Sequence, residues 1–452
     1  MSKQLMLMVG PFSTRSGYGE HARDIFHSYY NMDKYEIKII DTRWGDTPRT
    51  ALDKDNLDDK KIIDCILPQP QLDRQPDICV DIRIPNEFNP VGKFNIGVTA
   101  GIETTAVSQK WIEGANKVDL MIVPSEHAKS GFVNTIYDKV QSLPDGQKQK
   151  IGEFRLETPI EVVFEGSDLD TYKRIKYDEI NTELDTLLND TIEEKFAFLF
   201  VGAWIKGAYG EDRKDIGRLI KVFYETFANQ SKMPSLVLKT SGSNFSILDR
   251  QEILNKIKEI KDNFPKSIKL PNIYLLHGDL SSEEMNGLYN HPKIRSMVSF
   301  THGEGFGRPL LEATLTGLPV IASNWSGHLD FLDSEYNVLI DGTLDNIPNG
   351  AVWENILIPE SKWFTVNEIE ASRAMSFVFK NIFDINVKAK SFAMVNREKF
   401  SHDNMTKKLS EIMDEYTSHI SNPVELKLPK LKHINSEDKK TRISLPKLTK
   451  VK

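Results

Sequence analysis

The chain has 452 residues, 39% hydrophobic and 27% charged, the balance of a soluble globular protein with material for two domains of roughly 150–200 residues each. A formal charge of −7 excludes a surface given over as a whole to nucleic acid or membrane. The only two cysteines, Cys65 and Cys79, make no metal-ligand spacing and read as buried small hydrophobes in a reducing compartment.

The first half alternates strand and helix signals. "QLMLMVG" reads as a buried strand ending at Gly10, and "GEHARDIFHSYY" as a helix with apolar residues at helical spacing. "YEIKIID" and "KFNIGVTAG" are the next strands, and a helix follows around "VSQKWIEGANKV". "DLMIVPS" is a fourth strand, with Ser125 as N-cap of the helix "EHAKSGFVNTIY"; "IEVVFEG" is a fifth. Its five-residue apolar run "LMLMV" lacks the basic flank and cleavage site of a secretory signal, and no run approaches the roughly 20 apolar residues of a spanning helix. The expected location is the cytoplasm.

A charged stretch, Leu169–Lys195, reads as a linker. The pattern then restarts. "FAFLFVGAW", "PSLVLKTS", "NIYLLHG", "RSMVSF" and "LPVIAS" are strands; "KDIGRLIKVFYETFAN", "LDRQEILNKIKEIKDNF" and "SEEMNGLYN" are helices. Strands alternating with helices imply parallel sheets covered on both faces, so the chain reads as two open α/β domains with a ligand cleft at the carboxyl ends of their strands. Asn367–Ile420 is largely helical. Residues 421–452 hold nine Lys/Arg against three Asp/Glu, a net +6, and repeat "LPKL". They read as a disordered, solvated tail, or alternatively as a dock for an acidic partner or phosphate backbone.

The chemistry concentrates in "THGEGFGRPLLEATLTGLPVIAS" (Thr301–Ser323). A strand ends, Glu304-Gly305-Phe306-Gly307 turns, and a helix opens with Pro309 in its first turn and stops at Gly317. A helix N-terminus behind a glycine turn is an anion site that a ligand can approach closely. Glu304 and Glu312 flank it. Two carboxylates would repel a phosphate, but each accepts two hydroxyl donors. An anion carried between hydroxyl-rich groups describes a nucleotide-sugar.

On these residues the chain resembles the retaining GT-B glycosyltransferases, family 4 in particular, whose Glu–x7–Glu signature "EGFGRPLLEA" matches. "VGPFSTRSGYGEHARDI", "VTAGIETTAVSQKWIEGANKVDLMIVPSEHAKSGF", "VVFEGSDLDTY" and "FVGAWIKGAYGEDRKDIGRLIKVF" extend the resemblance over Gln4–Ile420. "FSTRSGYGEHARDIF" and "DTRWGDTP" look like glycosyltransferases encoded by tailed bacteriophages and some bacteria.

The resemblance implies a GT-B fold: two Rossmann-like doubly wound domains face each other across a cleft, with C-terminal helices packing back toward the first. The divisions expected are 1–185 for the acceptor domain, 186–400 for the donor domain, 401–420 for a crossover helix and 421–452 for the tail. It implies that Glu304 binds the donor sugar and that Gly305, Phe306, Gly307 and Leu311 shape its cradle. Glu312 would bind the ribose, and Gly278 and Leu280 the base. Lys214 and Arg213 would neutralise the diphosphate, and Gly17 and Gly19 would admit phosphate and acceptor.

The family's usual arginine after the first donor-domain strand is missing from "GAW", so Arg213, Lys239 or Arg308 must supply that charge. The usual histidine near the sugar is replaced by "GIETT", which offers Glu103 to the acceptor. His21, His277 and His302 read as structural, and Asp168-Leu169-Asp170 as part of the interdomain passage rather than a metal motif. The expected co-substrate is a UDP- or GDP-type sugar, with no metal. The acceptor is a glycan, a lipid or hydroxymethylated DNA, for which Arg15, Arg23, Arg43 and Arg49 offer cations. Rival readings are an epimerase or phosphorylase on the same fold, or a non-catalytic sugar-nucleotide-binding subunit.

Overall fold

The computed structural model describes residues 3–142, 147–205, 207, 209–242 and 244–420; the tail and its "LPKL" echo lie outside the described residues. The first domain is built on strands β1 (Gln4–Gly10), β2 (Tyr35–Asp41), β3 (Ile78–Ile82), β4 (Phe94–Val98) and β5 (Leu120–Val123). An antiparallel hairpin, β6 (Tyr137–Ser142) with β7 (Lys148–Phe154), precedes β8 (Ile160–Val162). The main sheet is parallel in the order β2-β1-β3-β4-β5-β8. Its helices are α1 (Gly17–Asn31), α2 (Leu57–Cys65), α3 (Gln109–Ala115) and α4 (Glu126–Asn134).

The second domain repeats the plan. A short helix α5 (Thr182–Thr191) leads to β9 (Ala197–Val201), α6 (Ile216–Phe227), β10 (Ser235–Lys239), α7 (Ile247–Asp262) and β11 (Ile273–Leu276). Then come α8 (Ser282–Asn290), β12 (Ile294–Ser299), α9 (Arg308–Leu315), β13 (Val320–Ser323) and β14 (Val338–Ile340). This sheet is also parallel, in the order β11-β10-β9-β12-β13-β14. A separate pair, β15 (Gly342–Asn346) with β16 (Lys362–Val366), and helices α10 (Glu368–Lys380), α11 (Ile382–Lys399) and α12 (His402–Thr417) complete it.

The central strands are apolar runs because both faces are covered: six of seven residues of β1 and four of five of β9 are buried. α1 is capped by Ser16, whose Oγ accepts from Gly19 N at 3.0 Å, and it buries Ala22, Ile25, Phe26 and Tyr29 at helical spacing. α12 places Met405, Leu409, Ile412 and Met413 into this first-domain core, so the chain's described end crosses back.

Four sequence expectations change. "ICVDI" is a central strand, β3, hidden in the sequence by its shortness and the prolines before it. The β6–β7 hairpin and α2 are further elements that the alternation did not show. The stretch read as a linker holds α5, whose Leu184 and Leu188 are buried in the second domain's core. Among the described residues, no helix is long and apolar enough to cross a membrane.

In each sheet the strand order reverses direction about one position, between β1 and β3 and between β9 and β12. Ligands of open α/β sheets lie outside the carboxyl ends of the strands at that point. Lys214 follows β9 and Glu304 follows β12, so the topology delivers both to the switch point of the second sheet. Contacts between the domains close over it. Ser125 Oγ donates to Gly305 O at 2.5 Å, Glu126 N to Asp330 Oδ2 at 2.9 Å, and Thr105 N to Lys362 O at 2.9 Å.

Candidate functional site

A cleft of about 340 Å³ opens between the domains, within the range of small-molecule sites. Lys214, Arg213, Glu304, Gly305, Phe306, Gly307 and Arg308 line it from the second domain; Gly17, Glu103 and Glu165 face them from the first.

The central contact is an ion pair. Lys214 Nζ donates to Glu304 Oε1 at 2.5 Å and to Oε2 at 2.6 Å, and each side chain is 12% exposed. Burial raises the Glu304 carboxyl, but Lys214 and Arg213 outweigh it and hold the group below its ordinary range. Burial pulls the Lys214 ammonium down from its ordinary value, against Glu304. Beside this pair, Arg213 Nη1 is in contact with Glu103 across the cleft.

The local backbone is shaped to hold these groups. Asp212 Oδ2 accepts from Ile216 N at 2.9 Å and Oδ1 from Lys214 N at 3.3 Å, fixing the turn into α6 and satisfying a free N–H of its first turn. Burial lifts the Asp212 carboxyl to about 6. Glu304 N donates to Ser326 Oγ at 2.9 Å, and Gly327 N donates to Glu304 O at 3.0 Å. Ser326 sits at φ 87°, a costly conformation for a residue with a side chain and one that concentrates at functional sites. His328 Nε2 lies 2.7 Å from Ser323 O, and its ring is fully buried under the same turn. Asp212, Ser326 and His328 escaped the sequence reading; for the last two the signal available was "SNWSGHLDF", taken only as the continuation of the resemblance that the Glu–x7–Glu motif carries.

The glycines divide. Gly307 stands at φ 100° and opens α9, a conformation that favours glycine. Gly305 is required by the other domain: a Cβ there would lie 1.9 Å from Ala100 O. Gly19 is a packing position, since a Cβ would lie 2.3 Å from Thr14 O, whereas Gly17 is exposed at the cleft. Phe306 and Leu311 are core residues, 2% and 0% exposed, so their contribution is to the shape beneath the turn.

Arg308 and Glu312 form a second buried cluster. Arg308 is in contact with Asp24 of α1 and lies 3.3 Å from Glu312, 3.6 Å from Glu20 and 3.9 Å from Glu165. Tyr289 Oη donates to Glu312 Oε2 at 3.1 Å. Burial lifts the Glu312 carboxyl to about 7 and Glu165 to about 8, with Arg308 opposing both. Arg308 is thus an interdomain bridge surrounded by carboxylates.

Lys239 lies at the far end of the second sheet. Its Nζ donates to Gly278 O at 2.6 Å, and Gly278 itself is at φ 137°. Leu280 packs partly buried against the core nearby, and the intervening Asp279 pairs with Arg15 of the first domain. His277 Nε2 lies 2.7 Å from Asp249 Oδ2; His302 stacks on Trp363 at 3.9 Å and is held neutral by burial, at about 4. Asp168 accepts from Asp170 N and Thr171 Oγ1 within its own turn. Cys79 is buried and its thiol pushed up to about 12 by that burial, and Cys65 is half-buried.

No family model matches the chain, and no curated protein sequence matches it. Solved structures do. HepE of Anabaena, in complex with UDP and glucose, superposes with a TM-score of 0.60 at 13% identity over 91% of this chain and 100% of that one. A glycosyltransferase from Rickettsia africae gives 0.59 at 14%, covering 92% and 99%. Sucrose-phosphate synthase from Thermosynechococcus elongatus gives 0.58 at 11%, covering 92% and 100%. The fold is GT-B: two Rossmann-like domains facing across a cleft.

Proposed function

We propose that the chain is a glycosyltransferase that moves a sugar from a nucleotide-diphosphate donor to an acceptor hydroxyl with retention at the anomeric carbon. The observation that carries this reading is the buried Lys214–Glu304 pair at the switch point of the second sheet, flanked by Arg213 and the start of α9. HepE, with the same fold, is described with UDP-glucose, which supports a nucleotide-sugar as co-substrate. The base would be of the UDP or GDP type.

The roles follow from the chemistry of each group. Glu304, an ionised carboxylate, accepts hydrogen bonds from donor-sugar hydroxyls. Lys214 and Arg213 meet the charge that grows on the leaving diphosphate, aided by Gly307 and Arg308 N–H groups at the start of α9. The bond from the anomeric carbon to the phosphate oxygen breaks, and a bond to the acceptor oxygen forms on the same face. The acceptor proton passes to the departing diphosphate. These cations make the step metal-independent in this reading. Glu312 and the Gly278–Leu280 passage take ribose and base, with Lys239 beside them. Glu103 orients the acceptor from the first domain, taken as 1–185, against a donor domain of 186–400.

A donor panel tests the proposal. Diphosphate release should need both a UDP- or GDP-sugar and an acceptor. Donor binding without release would make the chain a binding subunit, and release without an acceptor would favour hydrolysis over transfer.

A further inference from the structure

The first-domain wall of the cleft holds groups that the donor chemistry does not use. Tyr18 and Trp44 stack with ring centroids 4.0 Å apart and planes 26° apart, and the Tyr18 hydroxyl is fixed by Thr99 Oγ1 at 2.8 Å. Both rings line the cleft, as does Trp353, 55% exposed on the opposite wall. Trp111 also contributes to the lining; it is 2% exposed and stacks on Phe132 in the first-domain core, so it backs this wall.

We propose that this wall is the acceptor subsite and that the acceptor is a neutral saccharide. The inference rests on the glycosyltransferase reading above. The apolar face of a sugar ring lies on Trp44, whose tilt is set by the stack on Tyr18; Trp353 closes from the other domain. Glu103 accepts from the reacting hydroxyl. A few polar groups set among aromatic faces is the composition of a site for a small uncharged ligand.

Charge argues against nucleic acid as the acceptor. A phosphate backbone needs cations ready to receive it. Three of the four first-domain arginines that could meet a phosphate backbone are engaged within the protein; the fourth, Arg43, is exposed. Arg15 pairs with Asp279, Arg49 with Asp41 at 2.5 Å, and Arg23 donates to Phe12 O at 2.8 Å and Thr14 O at 3.1 Å.

The test is ligand-observed NMR on the full chain saturated with UDP or GDP. The probes are methyl α-D-glucopyranoside, methyl β-D-galactopyranoside, methyl α-D-mannopyranoside and a duplex containing 5-hydroxymethylcytosine. At least one glycoside is expected to bind. Trp44→Ala should weaken it about tenfold, and Trp44→Phe should restore most of the loss. Nucleotide binding by each variant, measured in the same samples, establishes that it is folded. Nucleotide binding with no glycoside response, or a response to the duplex alone, overturns the subsite. So do variants that keep wild-type glycoside affinity. If neither nucleotide binds, the donor reading falls and the subsite falls with it.

Discussion

Lys214 and Glu304, 90 positions apart, meet through both carboxylate oxygens at 2.5 and 2.6 Å in the floor of the interdomain cleft. Each is nearly removed from water, so each depends on the other for its charge. Removing one partner of such a pair leaves an uncompensated buried charge and costs about 3–5 kcal/mol. Lys214→Met and Glu304→Gln should therefore each lower the urea midpoint, and the double variant should recover part of that loss. Transfer should fall by about 100-fold or more in all three. Recovery of stability without recovery of transfer separates the structural role from the chemical one.

Arg308 of α9 is tied to α1 through Asp24 and braced on its own helix by Glu312. Arg308→Met should destabilise by about 3 kcal/mol or more, since it takes the main countercharge from the buried Asp24 carboxylate. Arg308→Lys should rescue only part, because a lysine cannot reach two carboxylates through a planar fork. Equilibrium urea unfolding measures both, and equal stability of the lysine variant and the wild type would contradict the bridge.

Glu165 titrates in the direction opposite to an ordinary paired carboxylate. Its folded value is lifted by burial to about 8, against an ordinary 4.5. Between those values the folded state holds the proton and the unfolded state does not, so this group's contribution to stability falls as pH rises. Glu165→Gln should match the wild type near pH 5 and become progressively more stable than it toward pH 8. Buried histidines near 4 add slopes of the other sign, but they are common to both proteins and cancel in the difference. A Tm difference that stays flat from pH 5 to 8 would remove the assignment.

Ser326 combines a strained backbone with a contact to the Glu304–Gly307 turn: φ is 87°, and its hydroxyl accepts from Glu304 N. Ser326→Gly removes the acceptor and relieves the strain; Ser326→Ala removes the acceptor and keeps the strain. The alanine variant should be the less stable by about 1 kcal/mol, with transfer reduced in both. Thermal unfolding beside a diphosphate-release assay reads the two effects separately.

Much of the fold was legible because parallel sheets bury both strand faces, which leaves runs such as "FAFLFV" unmistakable between amphipathic helices. The turn at Glu304–Gly307 was legible from its glycines and from Pro309. What stayed hidden depends on distance in sequence. Nothing local pairs Lys214 with Glu304 or Arg213 with Glu103, and Arg308, which reads as a free cation, is enclosed by three carboxylates from two other segments. Gly305 looks like a ligand-facing glycine, yet its missing side chain makes room for Ala100 of the other domain. Short β3 was lost because five residues carry too little period to stand out.

Transfer from a nucleotide-sugar with retention is read directly from the anomeric signal of the product. Proton NMR can follow the reaction from an α-linked donor selected by the panel, together with its acceptor. A new anomeric signal of α configuration is expected as the first product, appearing with nucleoside diphosphate and absent with Lys214→Met. A β product, or an anomeric signal that survives in that variant, would contradict it.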